Sequence, residues 1–324
     1  MALKSSKEVI SSLRPSVLVV GAGAIGGFYG GKLAQAGARV SVVSRSDYQA
    51  VKENGICVTS ILGDFRFVPE RVVRHVAEYG EPPDYVLVGT KVVAESDTVE
   101  LIKPVVGPRT AIVLIQNGVE IEQPVAEAFP GNEIISGLAF IGVSRVGPGK
   151  IHHQAYGRLT LGRYPGGSSQ MAEKLAELLE SCGVPCELTS EVVTARWKKL
   201  VWNAPFNPIS VLGGSIDTHT ILENRESAHL VRRIMEEVCL VAKATGHELP
   251  PSVIQQNIDG TLAMEEPYKT SMLLDFEAGR AMEVEAILGN SVRAARREGA
   301  AVPHMETLYA LLLLADRKNR SRVN

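Results

Sequence analysis

The stretch that most constrains this chain is residues 17–45, VLVVGAGAIGGFYGGKLAQAGARVSVVSR. It opens with Val17–Val20, an apolar β-branched run of the kind that forms a buried strand. Gly21, Gly23 and Gly26 follow at G-x-G-x-x-G spacing. A helical segment covers about Ile25–Gln35 and closes at Ala36-Gly37, and a second apolar run, Val40–Val43, ends at Ser44-Arg45. Strand, glycine turn, helix and strand in this order predict a β-α-β unit with a dinucleotide fingerprint. Gly21 permits the tight turn, Gly23 lets the backbone approach a pyrophosphate, and Gly26 lets helix and strand pack closely. Ala24 and Ile25 lie between them at the helix start, where free N–H groups and the positive dipole end face the phosphates. A glycine-rich turn without a ligand would not require this flanking order.

The end of the second strand narrows the ligand. An NAD site usually carries Asp or Glu there for the ribose hydroxyls, whereas an Arg accommodates the 2′-phosphate of NADP. This chain has Ser44, Arg45 and Ser46. A carboxylate would repel a phosphate, and a guanidinium with two hydroxyls would bind it. The expectation is NADP(H), with Arg45 on the 2′-phosphate.

A chain of 324 residues, 45% hydrophobic and 22% charged, fits roughly two globular domains. A net charge of −2 gives no reason to expect a nucleic acid or a membrane as partner. Residues 1–16 lack the apolar core of a secretory signal, and the apolar run Leu308–Ala315 is too short to span a bilayer. Cys57, Cys182, Cys186 and Cys239 are scattered, with no His pair beside them. They read as free thiols of a cytoplasmic protein, and no metal site is expected.

Strand and helix patterns alternate along the first half. After Arg45 come a short helix (Asp47–Asn54), strands at Ile56–Ser60 and Phe65–Pro69, and a strand at Tyr85–Gly89 ending in Thr90-Lys91. A helix (Glu95–Lys103), a strand (Thr110–Ile115) ending in Gln116-Asn117-Gly118, a helix (Ile121–Ala128) and a strand (Ile134–Ile141) follow. This alternation implies a parallel, doubly wound sheet, in which ligands bind beyond the carboxyl ends of the strands. Lys91 and Asn117 both occupy such ends. Residues 151–153 and 159–162 read as a hairpin-like extension, Gln170–Ser181 as an amphipathic helix and Val184–Leu188 as a last strand.

From Glu191 helical periodicity takes over. Helices are expected from Glu191 toward Asn207, at Leu222–Thr245, Ser252–Met264, Ser271–Ala281, Glu283–Glu298 and Met305–Lys318. The fold class is therefore an α/β Rossmann-type N-terminal domain with an all-α C-terminal domain. The divisions are a flexible tail (1–14), a nucleotide-binding domain (15–190) and a helical domain (191–324) carrying substrate contacts and a homodimer surface. The basic end, Arg317–Val323, reads as solvated.

Within the helical half, Lys199, Asn203 and Asn207 are spaced four apart and form one stripe on a helix. A Lys and two Asn among Trp, Leu, Val and Phe are costly to bury without partners. They read either as a wet helix face, with Asn207 ending the helix before Pro208, or as the polar wall of a cleft.

Here the chain resembles the 2-dehydropantoate 2-reductase, or ketopantoate reductase, family. The resemblance runs from Val17 to about Lys318. It rests on Gly21-x-Gly23-x-x-Gly26, Thr90-Lys91, Gln116-Asn117-Gly118 and Pro148-Gly149-x-Ile151-x-His153. It continues through Trp197-x-Lys199-Leu200-x-x-Asn203-x-x-x-Asn207-Pro208, Ser271-Met272-x-x-Asp275 and Glu283-Val284-Glu285-x-Ile287-x-Gly289. It implies an NADPH-dependent reductase making pantoate, a step toward pantothenate and coenzyme A. It implies Lys199 as the general acid that protonates the C2 oxygen, and Glu283, not Glu285, as the acidic residue at that centre. It implies Ser271 and Asn117 near the substrate carboxylate, with Asn117 and Glu283 also approaching the cofactor. Asn203 and Asn207 match pocket amides, Lys91 a cleft lysine near cofactor and substrate, and Arg45 the 2′-phosphate binder. The substrate is then a small 2-oxo acid.

Two departures stand out. Pro205 lies between the two pocket Asn, three residues before Pro208, and two prolines are expected to kink the helix. Asp217 falls where the family often has a substrate-contacting Asn, and its charge would disfavour an anionic substrate. A reductase of another small 2-oxo acid or ketone, or a non-catalytic NADP-binding sensor, are the alternatives.

Overall fold

The computed structural model describes residues 14–264 and 267–321. The expected N-terminal tail lies outside the described residues except for Arg14, as does the last part of the basic C-terminal end. The described chain divides into two compact units. The first holds residues up to Thr90, Asp97–Gln116 and Glu122–Val192; the second holds Lys91–Ser96, Asn117–Ile121 and the chain from Val193 onward. Two short segments that a linear reading assigns to the nucleotide-binding half thus belong to the helical unit.

The first unit is built on one ten-stranded sheet. Its strands are β1 (Ser16–Val20), β2 (Arg39–Val43), β3 (Ile56–Ser60), β4 (Phe65–Phe67), β5 (Val72–Val73), β6 (Tyr85–Val88), β7 (Ala111–Leu114), β8 (Ile134–Gly147), β9 (Lys150–Arg163) and β10 (Cys186–Leu188). The order is β4-β3-β9-β8-β7-β6-β1-β2-β5, with β10 beside β9. From β8 through β7, β6, β1 and β2 to β5 all pairs are parallel, as expected for a doubly wound sheet. On the other side β8 and β9 are antiparallel, as are β3 and β4. The hairpin-like extension is a pair of fourteen-residue strands integral to the sheet.

The helices of this unit are α1 (Ala24–Gln35), α2 (Tyr48–Asn54), α3 (Thr98–Ile102), α4 (Gln123–Ala128) and α5 (Gln170–Ser181). The apolar strand runs are buried on both faces, as parallel strands under helices require. Helix α3 is shorter than expected, because Asp97 caps it by accepting the Val99 and Glu100 N–H groups. Glycines bring α1 down onto β1. A Cβ at Gly26 would lie 2.2 Å from the Gly21 carbonyl oxygen and 2.9 Å from Val19, and one at Gly30 would lie 2.8 Å from Val19.

The helical unit contains α6 (Val192–Leu212), α7 (Thr218–Glu223), α8 (Arg225–Ala244), α9 (Val253–Leu262), α10 (Ser271–Glu277), a π-helical turn (Glu285–Gly289), α11 (Asn290–Glu298) and α12 (Pro303–Arg320). The expected helix from Leu222 to Thr245 is two helices, divided where Asn224 accepts the Glu226 and Ser227 N–H groups and caps α8. The end of α6 read before Pro208 is also corrected: α6 is one 21-residue helix running through Pro205 and Pro208. An interior proline costs about 3 kcal/mol. The segment buries Trp197, Leu200, Val201, Ala204, Phe206 and Ile209 in one core, each large side chain contributing about 1.5–3 kcal/mol. Packing therefore outweighs the two missing N–H groups.

Candidate active site

The fingerprint turn has the form expected of a pyrophosphate cradle. Gly21 has φ +93°, and a Cβ there would lie 2.7 Å from Thr90. Gly23 caps α1 in extended conformation, and a Cβ on it would meet nothing within 4 Å. Ala24 and Ile25 form the first turn of α1, without a side chain capping their N–H groups. The carboxyl ends of β1 and β2 lie side by side, Val20 against Val43. Just past Val43, Ser44 is buried and Arg45 is exposed. Among the described residues the Arg45 guanidinium has no hydrogen-bond or ion-pair partner.

In the helical unit, Lys199, Asn117 and Glu283 form a continuous polar line. Lys199 Nζ donates to Asn117 Oδ1 at 2.9 Å, and Asn117 Nδ2 donates to Glu283 Oε2 at 2.9 Å. An ammonium only donates and a carboxylate only accepts, so the two partners fix which way the Asn117 amide points. The second Glu283 oxygen accepts the Val92 N–H at 3.1 Å. Glu283 is 8% exposed.

The charges in this line are shifted toward neutrality. Burial pushes the Lys199 ammonium down to about 8; Arg196 pushes in the same direction and Glu283 opposes it. Burial raises the Glu283 carboxyl, held back by the Asn117 hydrogen bond, the Val92 N–H and the charge of Lys91. Lys91 is ion-paired with Asp275, which also accepts from Arg280 Nε at 3.0 Å. Glu285 points elsewhere: it pairs with Arg293 at 2.7 Å and accepts the Tyr309 hydroxyl at 2.7 Å.

The turn that carries Asn117 is fastened on three sides. Gly118 has φ +101°, and a Cβ there would lie 2.3 Å from the Ala286 carbonyl oxygen. That carbonyl, in the π-helical turn, accepts the Val119 N–H at 3.2 Å. Asn290 Nδ2 donates to the Val119 carbonyl at 2.7 Å, and Arg196 Nη1 donates to the Gly118 carbonyl at 3.0 Å. A π-helical turn of this kind often marks a functional position.

The stripe on α6 divides by use. Asn203, one turn beyond Lys199, is 9% exposed, and among the described residues its side-chain amide has no hydrogen-bond partner. Asn207 is 2% exposed, and both ends of its amide are engaged. Its Nδ2 donates to the Asn203 carbonyl at 3.1 Å and its Oδ1 accepts the Met272 N–H at 3.3 Å. It therefore ties α6 to the start of α10. Ser271 is exposed on the first turn of α10, which Thr270 caps. Asp217 caps α7, its carboxylate accepting both the Thr220 N–H and the Thr220 hydroxyl. Among the described residues no group of three metal-ligating side chains lies together.

Sequence reasoning assigned no role to Arg196, the Val92 N–H or Asp275. Asp275 stood within a motif, but Arg196 looked like any helix cation, and a backbone N–H leaves no mark in a sequence.

The fingerprint turn is of the kind that binds a nicotinamide dinucleotide, and the relatives below make the class that of oxidoreductases acting on CH–OH groups. Two family models match the chain, the ketopantoate reductase PanE/ApbA model over residues 17–166 and its C-terminal model over residues 191–315. The chain belongs to the ketopantoate reductase family. A 2-dehydropantoate 2-reductase from Nostoc sp. is 36% identical, across 94% of this chain and 96% of that one. The crystal structure of 2-dehydropantoate 2-reductase from Methylococcus capsulatus matches with a TM-score of 0.88 and 54% identity, covering 94% of this chain and 97% of the other. That of Geobacter metallireducens GS-15 matches with a TM-score of 0.87 and 39% identity, covering 93% and 99%.

Proposed function

We propose that this chain reduces the 2-oxo group of 2-dehydropantoate to pantoate with NADPH, a step toward pantothenate. The observation that carries the reading is the hydrogen-bonded line Lys199–Asn117–Glu283, with the lysine poised at about 8. A general acid works best when its pKa lies near the operating pH.

The residues fit the cofactor. Gly21, Gly23, Ala24, Ile25 and Gly26 would hold the pyrophosphate, where open space lies over Gly23. Arg45, with no partner of its own among the described residues, would hold the 2′-phosphate. Asn117, Lys91 and Glu283 would stand toward the nicotinamide end. When bound, the nicotinamide supplies the hydride.

Reduction at C2 places negative charge on the ketone oxygen. Lys199 stabilises that charge and donates the proton that converts the alkoxide to the hydroxyl. Glu283 keeps the lysine from losing its proton too early, and Asn117 fixes its direction. The Asn203 amide supplies hydrogen bonds to the substrate, and Ser271 and Asn117 serve its carboxylate. Asn207 acts by seating α10, with its own amide already committed. Asp217 serves as the N-cap of α7, held by the Thr220 N–H and hydroxyl, which gives a carboxylate at this position a structural use.

The test is NADPH oxidation on 2-dehydropantoate by wild type and Lys199→Ala. The variant is expected to lose about 10²–10⁴-fold in kcat while still binding NADPH. Near-normal kcat would remove Lys199 from the acid role. Turnover of another 2-oxo acid but not 2-dehydropantoate by the wild type would change the substrate. We place this activity in the cytoplasm, a reading supported by four free cysteines. We also propose a homodimer through the helical unit, motivated by Leu311 and Leu314, exposed on α12. A monomeric mass by light scattering would refute it.

A further inference from the structure

We propose that Arg196 is a positioning residue that sets the working pH range of Lys199 and seats Asn117, and so acts on the reaction through both. The inference rests on the proposed acid role of Lys199. Arg196 stands three residues before Lys199 on α6, one helical turn away on the same side. It is 4% exposed, an unusual place for a cation. Its Nη1 donates to the Gly118 carbonyl, the residue directly after Asn117. One guanidinium thus holds the backbone from which the Asn117 side chain reaches toward Lys199 and Glu283.

Its second effect is electrostatic. Arginine stays protonated at every working pH. A fixed cation one turn from Lys199 makes a second positive charge costly, and so helps the lysine release its proton. Lys199 faces Arg196 on its own helix and Glu283 ahead of the π-helical turn, and Glu283 pulls the other way. Lys91 and Asp275 act on Glu283. Glu283 alone would leave Lys199 a weaker acid. Side chains one turn apart, about 5–6 Å between Cβ atoms, interact enough at intermediate dielectric to move a pKa by roughly one unit.

A group that merely filled space would not show this charge dependence. The experiment compares wild type with Arg196→Met, Arg196→Gln and Arg196→Lys. The reactivity of Lys199 toward acetic anhydride is followed against pH by mass spectrometry, which needs no turnover. The pH profile of kcat with NADPH and 2-dehydropantoate is measured beside it. Retained NADPH binding checks the fold.

In the two neutral variants the Lys199 titration and the alkaline limb of kcat are expected to rise by about one pH unit. Their kcat at neutral pH is expected to fall about tenfold or more, as Asn117 loses its anchor. Arg196→Lys keeps the charge and is expected to keep the titration within a few tenths of a unit. An unmoved titration in the neutral variants overturns the proposal. So does an equal rise in Arg196→Lys, or failure of both neutral variants to fold. If the wild type labels as expected but does not turn over 2-dehydropantoate, the substrate assignment fails and the inference about Lys199 stands.

Discussion

Glu283→Gln removes one charge and changes almost no volume, so its effect follows from the hydrogen-bond inventory. Glu283 accepts twice, from the Val92 N–H at 3.1 Å and from Asn117 Nδ2 at 2.9 Å. A glutamine has one oxygen and one NH2 group. If its oxygen stays on Val92, its NH2 faces the Asn117 NH2, donor against donor. Flipping Asn117 turns its oxygen toward the glutamine but then sets its NH2 against the Lys199 ammonium, so the conflict moves without disappearing. One buried donor is left unsatisfied in each arrangement, at about 1–3 kcal/mol. Loss of the carboxylate also removes the charge that opposes deprotonation of Lys199, so its pKa falls below about 8. Steady-state NADPH oxidation on 2-dehydropantoate across pH 6–10 reads both effects. The expected result is a roughly 5–150-fold loss in kcat, equivalent to that penalty at 1.4 kcal/mol per tenfold, with the alkaline limb moved to lower pH. Adding Asn117→Asp to Glu283→Gln restores donor–acceptor order along the line. It is expected to recover thermal stability while placing a carboxylate against Lys199 and moving the limb above its wild-type position. A Glu283→Gln enzyme within twofold of wild type and with an unmoved limb would refute this account of the line.

Two further outcomes concern the first unit. Arg45→Ala is expected to weaken NADPH about 10–100-fold, the loss of a charge-assisted phosphate contact, and to leave NADH unchanged; equal losses in a fluorescence titration would rule out the 2′-phosphate role. His153 is fully buried, with Nε2 donating toward the Ala155 and Tyr156 carbonyls at 3.1 and 3.0 Å and Nδ1 accepting from Ser60 at 2.9 Å. Burial holds its folded pKa below the ordinary value of 6.5. Its contribution to stability is thus present above about 6.5 and is lost as pH falls through the folded pKa. The melting temperature is expected to drop between pH 7.5 and 5, with a shallower slope in His153→Gln; parallel slopes would exclude His153 as the source.

What was legible in the sequence was local. Val17–Arg45 announced its strand, turn, helix and strand because each pattern completes itself within a few residues. Gln170–Ser181 did so through a clear apolar face and a serine cap. Strands β8 and β9 were read short because Gly137, Gly142 and Gly147 interrupt β8 and register shifts break the alternation near Phe140–Val143. Pro208 does not end α6, because propensity counts only the missing N–H groups, whereas the surrounding core decides. The four-residue spacing of Lys199, Asn203 and Asn207 was visible, but not that Asn207 would be spent on α10 while Asn203 kept its amide. Asn117 was visible as a strand-end residue, yet its place in the helical unit depends on contacts with residues some 80 to 170 positions away.

Asn117 explains why the lysine can lose a proton without losing its place. The ammonium carries three N–H groups and gives one to Asn117 Oδ1. In the proposed reaction, the neutral amine left after proton donation to the substrate oxygen would still have an N–H for that same acceptor, so Lys199 would stay aimed. An acidic residue in place of Asn117 would hold the ammonium more firmly but would raise its pKa and resist the transfer. A neutral amide fixes direction at little cost in acidity. The charge that keeps Lys199 protonated is set one residue further away, on Glu283, where Asn117 transmits the geometry and attenuates the field. Orientation and acidity are thereby assigned to different side chains, so neutralising variants of Glu283 and Arg196 should move the alkaline limb in opposite directions while neutral substitutions at Asn117 act first on kcat.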